Sequence, residues 1–360
     1  MDEARPRRRP AWMRWTVAVP VVSIAVLAFT WGGKPPAAVL VVAGLFLAGS
    51  VLAAVHHAEV IAHRVGEPFG ALVLAVAVTV IEVALIVTLM VSAGSETGTL
   101  ARDTVFAAVM ITLNGVVGLS LLVATLRERV GSFNAEGTAS ALATVLALAT
   151  LSLVLPTFTT SSPGRQFSAA QLAFAAFLSL ALYLLFVFVQ TVRHRDFFAP
   201  EQEPEPADVS GALRSSLALL FLALVAVVGL AKVESGAIED AVLAIGAPQS
   251  AVGVVIALLV LLPETLAAVR SARRGGLQTS FNLALGSAMA SIGLTIPVIA
   301  VASIWLEGPL VLGLGSTQMV LLAITAAIGA LTVLPGRATI QEAGVHLVLF
   351  ATFVFLAIFP

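Results

Sequence analysis

The sequence predicts an all-α polytopic membrane protein with about eleven transmembrane helices. Of the 360 residues, 59% are hydrophobic and only 11% are charged, whereas soluble domains carry about 25% charged residues. Apolar runs of about 20 residues, long enough to cross a bilayer as helices, recur from one end of the chain to the other. The apolar positions follow a helical period, so these runs indicate helices rather than strands.

Short polar loops separate the predicted spans. We place the spans at 14–32, 37–62, 68–92, 101–125, 136–156, 168–191, 211–231, 248–269, 277–303, 309–334 and 341–359. An odd number of spans puts the two termini on opposite sides of the membrane.

The basic residues predict the orientation. With the N-terminus in the cytoplasm, 15 of the 19 Lys and Arg residues fall on the cytoplasmic side, as the positive-inside rule requires. We therefore predict an integral protein of the bacterial plasma (inner) membrane, with a cytoplasmic N-terminus and an external C-terminus. Residues 1–35 form a basic segment and a retained first helix, because no clear signal-peptide cleavage site follows the first apolar run.

Two halves of the chain, 36–192 and 211–360, look like related five-helix repeats. Similar markers recur in both at offsets of 179 to 182 positions, namely Pro68 and Pro248, Glu82 and Glu264, and Pro156 and Pro335. Because five is odd, the second copy enters the membrane from the opposite side, so the predicted fold is one N-terminal helix plus two inverted repeats.

An acidic, proline-containing linker at 193–210 joins the two halves on the cytoplasmic side. It carries five acidic residues, which are Asp196, Glu201, Glu203, Glu205 and Asp208. The linker could be a solvated hinge, or it could concentrate or sense cations at the cytoplasmic mouth.

Glu82 and Glu264 lie deep inside apolar spans, one in each repeat. A charge at the centre of a membrane helix costs roughly 2.5 to 3.5 kcal/mol on insertion scales, which favours a functional role. Together the two carboxylates carry two negative charges, which one divalent cation, two monovalent cations or two protons can neutralise. We found no further acidic residue in the middle of a span.

Several polar or helix-breaking residues could supply further oxygen ligands. Pro263 would free a backbone carbonyl one turn earlier in its helix. The other candidates are Thr79, Asn114, Ser287 and Ser291. Calcium accepts six to eight oxygens in flexible geometry, which suits two glutamates supplemented by carbonyls, hydroxyls and water.

A second polar cluster follows one face of the second span near its cytoplasmic end. His56, Glu59 and His63 are spaced by three and four residues, and Glu67 lies nearby. These groups could relay protons, because histidine titrates near neutral pH. A stabilising hydrogen-bond cluster at the membrane interface is the alternative.

The sequence lacks the signatures of several other functions. The chain has no cysteine, which excludes disulfides and thiolate metal sites, and it contains no nucleotide-binding motif. No nucleophile is paired with a base, so we do not expect an enzyme. We expect no cofactor and no nucleic-acid or nucleotide partner. The expected partners are inorganic cations, protons and the lipid bilayer, and the oligomeric state stays open.

The segments HHAEVIAHRVGEPFGALVLAVAVTVIEVALI and LLPETLAAVRSARRGGLQTSFNLALGSAMASIGLTIP carry a resemblance to a known family. They resemble the calcium/cation exchanger superfamily, in particular the bacterial calcium (sodium, potassium)/proton antiporter branch. The resemblance implies one essential glutamate in each repeat, at Glu82 and Glu264. Many relatives have Gly-Asn before these glutamates, where this chain has Val78-Thr79 and Val260-Leu261, so the supporting ligands must come from elsewhere.

The combined interpretation is a secondary antiporter that exchanges cytoplasmic calcium for external protons. The two glutamates would form one midplane site, open to one side of the membrane at a time. Sodium/proton or potassium/proton exchange on the same scaffold is the alternative, and a cation channel is a more distant one. The lack of further acidic residues favours proton coupling, because sodium/calcium exchangers of the superfamily carry additional acids in the site.

Overall fold

A computed structural model describes residues 15–33, 35–65, 69–93, 98–199, 213–244, 246–305 and 308–360, with the side chains at 63, 69–75, 89, 92 and 93 left undescribed. The basic segment before residue 15, Glu67 and most of the acidic linker lie outside the described residues. The predictions that concern them therefore stay predictions.

Eleven helical segments make up the described chain. They contain α1 Trp15–Thr30, α2 Ala37–Val65, α3 Phe69–Ala93, α4 Leu100–Met110, α5 Val117–Glu128, α6 Ala135–Ala149, α7 Ala169–Phe188, α8 Leu213–Ala244, α9 Ala251–Arg273, α10 Leu277–Gly293, α11 Thr295–Ala302, α12 Ser316–Val333 and α13 Ile340–Ile358. A π-helical turn, Ile111–Val116, joins α4 to α5, and α10 and α11 form one interrupted segment. Further π-helical turns end the segments of α6 and α7, at Thr150–Val154 and Val189–Arg193.

The predicted fold class is confirmed. Within the described residues, nine helices are long and apolar enough to cross a membrane, and two apolar helices, Trp15–Thr30 and Val76–Thr88, are shorter. The chain is an all-α polytopic membrane protein with one N-terminal helix and two inverted five-helix repeats. The residue limits of each repeat stay a prediction.

Two predicted boundaries were wrong by more than four residues. The tenth span was expected to begin at residue 309, but α12 begins at Ser316. The seventh span was expected to end at residue 231, but α8 continues to Ala244. The sequence that follows residue 231 is charged, which suggested a loop. It contains no proline before Pro248, and without a proline nothing removes the backbone hydrogen bonds that continue a helix.

Contacts between loops group the helix ends into two sets. Before α6, β1 (Gly131–Ser132) pairs with β2 (Arg337–Ala338), which precedes α13. Arg127 Nη1, near the same end of α5, donates to the carbonyl of Arg273 at the end of α9. In an alternating arrangement of eleven spans, these three loops all lie on one side of the membrane.

The opposite helix ends form the second set. The amide of Val311 donates to the carbonyl of Gly98, and the amide of Gly313 donates to the carbonyl of Arg165. These bonds join the loops before α4, before α7 and before α12. The two sets agree with strict alternation of the spans from α3 to α13.

Packing divides the described chain into two compact units. The first contains α1, α2, the start of α3 and α8 as far as Glu234, and the second contains the rest. In the first unit, α1 packs against α2. In the second, α9 packs against α4, α5 and α10, while α13 packs against α5. Each repeat contributes its first helix to the first unit, so this division crosses the repeats.

The crossing of α9 with α4 depends on a glycine. A Cβ added at Gly253 would lie 2.9 Å from the backbone nitrogen of Thr104 and 3.0 Å from the carbonyl carbon of Asp103. Backbone atoms inside a packed helix cannot move aside as a flexible side chain can. Only glycine permits this approach.

We expect Gly253→Ala to destabilise the protein by about 1 to 3 kcal/mol, the usual range for overpacking a well-packed site. Unfolding of the purified protein in detergent measures the change. Gly344→Ala in α13 is the matched control, because a Cβ there would meet nothing within 4 Å. Equal stability of the two variants would contradict this account of the crossing.

Candidate ion site

Glu82 is buried within α3, with 4% of its surface exposed. The hydroxyl of Ser291, on α10, donates a hydrogen bond to Glu82 Oε1 at 2.5 Å. A hydroxyl aimed at a carboxylate stabilises its charge where water cannot. The structure thus brings together one predicted glutamate from the first repeat and one predicted supporting residue from the second.

Thr295 is a further residue at this carboxylate, and the sequence analysis missed it. Its side chain is fully buried and faces Glu82, although its hydroxyl lies outside standard hydrogen-bond geometry. Thr295 is the first residue of α11, directly after the interruption that follows α10. The sequence signal that could have found it is the proline two residues later.

Pro297 explains the interruption between α10 and α11. A proline inside a helix lacks the amide proton, and its ring clashes with the carbonyl four residues earlier, which here belongs to Gly293. The first helix ends at Gly293. A carbonyl released from its helical hydrogen bond can serve a buried ion. Gly293 also packs closely on α7, since a Cβ there would lie 2.6 Å from Tyr183 Cβ.

The equivalent helix of the first repeat is also irregular. The π-helical turn Ile111–Val116 precedes the interruption at Leu294 by about the repeat offset. Single π-helical turns occur frequently at functional sites, because they alter which groups the backbone presents. Both repeats therefore depart from regular helix at corresponding points.

Asn114 lies in this π-helical turn, and its side chain is fully buried. Its Nδ2 donates to Thr325 Oγ1 at 3.0 Å, and its Oδ1 lies 3.2 Å from His346 Nδ1. His346 Nε2 in turn lies 3.1 Å from Thr332 Oγ1. Its Nδ2 also lies 3.9 Å from Met110 Sδ in α4. The described hydrogen bonds of Asn114 thus connect it to α4, α12 and α13 rather than to Glu82.

Glu264 lies in α9 and is partly buried. The helix continues through the preceding, buried Pro263, so the proline leaves the carbonyl of Leu259 without its usual amide donor. Besides packing against α4, α5 and α10, α9 contacts the π-helical turn. Glu264 therefore belongs to a helix that packs against the π-helical turn and against α10.

The two remaining candidates differ in their surroundings. Thr79 is buried one turn before Glu82 in α3. Ser287 is partly buried one turn before Ser291 in α10, and residues four apart share a helix face. In the part of the chain that the structure describes, Ser287 forms no side-chain hydrogen bond, which leaves its hydroxyl available to a ligand.

His57, which neighbours the predicted polar cluster on α2, contacts α1. His57 is buried, and its Nε2 lies 2.9 Å from the carbonyl oxygen of Thr16 in α1. His56 and Glu59 are exposed, and the His56 ring packs near Trp15. The side chain of His63 lies outside the described residues. The proton relay stays a prediction. The contact of the neighbouring His57 with Thr16 joins α2 to α1.

The chemistry available around Glu82 is that of hard oxygen ligands. Carboxylate, hydroxyl and freed carbonyl oxygens suit protons and alkali or alkaline-earth cations. Among the described residues, no three His, Cys, Asp or Glu side chains gather as they would to hold a metal ion.

Two related sequences extend over almost the whole chain. It is 46% identical to the y4hA protein of Sinorhizobium fredii over 354 residues, which cover 96% of each chain. It is 32% identical to the sodium-potassium/proton antiporter ChaA of Escherichia coli over 365 residues, which cover 98% of each chain.

Solved structures share the fold. The YfkE structure superposes with a TM-score of 0.74 at 15% identity, covering 96% of this chain and 99% of YfkE. The H⁺/Ca²⁺ exchanger CAX superposes with a TM-score of 0.69 at 18% identity, covering 94% of this chain and 86% of CAX.

A family description also matches both halves of the sequence. The sodium/calcium exchanger protein family matches residues 36–192 and 215–359, which are close to the predicted limits of the two repeats. Members of this family are secondary transporters and not enzymes. The chain is therefore a member of the sodium/calcium exchanger family of membrane transporters.

Proposed function

We propose that this protein is a proton-coupled cation antiporter whose transport site contains Glu82 and Glu264. The observation that carries the proposal is the buried Glu82 carboxylate of the first repeat, hydrogen bonded by Ser291 of the second. A contact between inverted repeats suits alternating access, because movement of one repeat against the other changes which side reaches the site.

The proposed mechanism is competition between cations and protons. When the site opens to the cytoplasm, the two carboxylates bind a cation that neutralises them. When it opens to the outside, protons replace the cation, because protonation removes the negative charge that held it. Each occupied form is close to neutral, which keeps the cost of burying the site low during reorientation.

Calcium is the substrate that we propose first. Two carboxylates balance one divalent charge, and calcium tolerates irregular sets of six to eight oxygen ligands. Ser291 and Thr295 beside Glu82, together with the carbonyls released by Pro263 and Pro297, offer such oxygens. Ser287 has a free hydroxyl on the same face as Ser291 and could complete the set.

Exchange of sodium or potassium for protons is the second candidate. It is favoured by the 32% identity to ChaA, which is named a sodium-potassium/proton antiporter and matches over 98% of this chain. Two carboxylates can also be neutralised by two monovalent ions. On either substrate, we propose the bacterial inner membrane as the location, with a cytoplasmic N-terminus and an external C-terminus.

We expect Glu82→Gln and Glu264→Gln each to abolish cation-dependent proton movement, because one remaining carboxylate leaves one charge of calcium unbalanced and holds only one of two monovalent ions. The measurement is proton flux in proteoliposomes with an imposed pH gradient, on adding calcium, sodium or potassium separately. Glu128→Gln is the control, because Glu128 is half exposed at the end of α5.

The flux results distinguish the proposals. A calcium response that both variants lose supports calcium/proton exchange. A response to sodium or potassium alone would change the proposed substrate and leave the proposed site unchanged. Full transport by either Gln variant, with the wild-type response intact, would contradict the two-glutamate site.

The hydroxyl of Ser291 can be tested with a pair of side chains of equal shape. We expect Ser291→Val to raise the KM for the cation about tenfold or more, because a hydrogen bond to a charged group contributes about 1.5 to 3 kcal/mol. Ser291→Thr keeps a hydroxyl and should stay nearer the wild-type KM. Equal KM values for the two variants would show that the hydroxyl does not assist binding.

A further inference from the structure

Glu234 is a buried carboxylate that no part of the proposed transport site uses, at a position that the sequence analysis assigned to a loop. It lies inside α8, and only 6% of its surface is exposed. This helix is among those long and apolar enough to cross the membrane. An ionisable residue buried in such a helix is a functional candidate by default, because its charge is costly there.

The Glu234 carboxylate lies against α2 at Gly44, a residue without a side chain. A Cβ added at Gly44 would lie 3.8 Å from Glu234 Oε2. Gly44 is seven residues into α2, which corresponds to about 10 Å along the helix axis. Glu234 Oε1 is buried and has no hydrogen-bond partner among the described residues. Glu234 thus faces the contact between α8 and α2, and among the described residues no group donates a hydrogen bond to its buried Oε1.

Few other described residues of this compact unit are titratable, and one of them, Arg214 on α8, lies twenty positions before Glu234. The described part of α1 contains no titratable side chain. On α8, the ammonium of Lys232 lies 5.2 Å from the centre of the Trp31 ring. The nearest titratable residues of α2 begin twelve positions beyond Gly44, about 18 Å along the axis, and are His56, His57, Glu59, His63 and Arg64.

The surroundings of Glu234 favour a proton over calcium as its ligand. Calcium requires six to eight oxygen ligands, and Gly44 supplies no side-chain oxygen. A proton needs one oxygen and removes the charge outright. We propose that Glu234 is a proton-binding site, separate from Glu82 and Glu264, that is occupied when α1, α2 and α8 pack as they do here.

Such a site would make this three-helix unit sensitive to pH. Deprotonation would place an uncompensated charge in the contact between α8 and α2, which disfavours the packed arrangement. Glu234 lies near the ends where α1 stops and α2 starts, which is the external side in the proposed orientation. The link to transport rests on the proposed function, whereas the protonation itself does not.

The first test follows the protonated carboxyl group by infrared spectroscopy of the purified full-length protein during a pH titration. We expect Glu234→Gln to lose one carboxyl band, and Asp240→Asn, an exposed acid on the same helix, to keep it. The thermal midpoint of wild type should rise as pH falls through the titration. In Glu234→Gln, which cannot ionise, this component of the pH dependence should disappear.

A second pair of variants leaves Glu234 in place, so it remains informative if Glu234→Gln does not fold. A Cβ fits at Gly44, because its nearest neighbours are the Glu234 carboxylate atoms at 3.8 and 4.0 Å. Gly44→Ser adds a hydroxyl that can donate to the carboxylate and should shift the Glu234 band to titrate at lower pH. Gly44→Ala adds only a methyl group and should not produce that shift.

Two results would overturn the proposal. One is a carboxyl band and a thermal pH dependence that persist unchanged in Glu234→Gln. The other is a titration that is identical in Gly44→Ser and Gly44→Ala. Neither measurement uses transport, so a failure of the proposed antiport activity would be seen separately in the flux assay. If the wild-type protein shows flux, the flux of Glu234→Gln should depend less on external pH than that of wild type.

Discussion

The cost of placing a carboxylate inside a bilayer is the constraint on which this molecule depends. A carboxylate there must be neutralised or receive hydrogen bonds, because no bulk water surrounds it. Glu82 meets this constraint through the hydrogen bond from Ser291. In the proposed mechanism the same constraint makes exchange possible, because a site that must be neutralised accepts whichever cation or proton the open side supplies.

Irregular helices are the second requirement of the proposed site. A regular helix uses its carbonyls internally, so it has none to offer an ion. Here the π-helical turn in the first repeat and the Pro297 interruption in the second lie at corresponding points of the two repeats. The fully buried polar network of Asn114, Thr325, His346 and Thr332 holds the first of these segments to α12 and α13. We interpret Asn114 as a residue that supports the site geometry.

Family membership and substrate rest on different kinds of information. The family follows from matches that cover both repeats and from relatives that align over nearly the whole chain. Selectivity among calcium, sodium and potassium depends on how many oxygens reach the ion and on the net charge they carry. Those features can change through a few side chains while the fold and the two glutamates remain.

The sequence by itself determined the membrane class, the number and alternation of the spans, the two repeats and the two glutamates within them. These features are local: a helix of a given apolar length must cross the bilayer, and a charge within it is conspicuous wherever that helix packs. Only the tertiary structure decided that Ser291 and Thr295 face Glu82, that Asn114 bonds to α12 and α13, that His57 joins α2 to α1, and that Glu234 is buried. Each of these depends on which helix faces meet, and the hydrogen-bonded residues are 41 to 211 positions apart in sequence. A hydrophobic pattern contains no information about that choice when nearly every face of a helix is apolar.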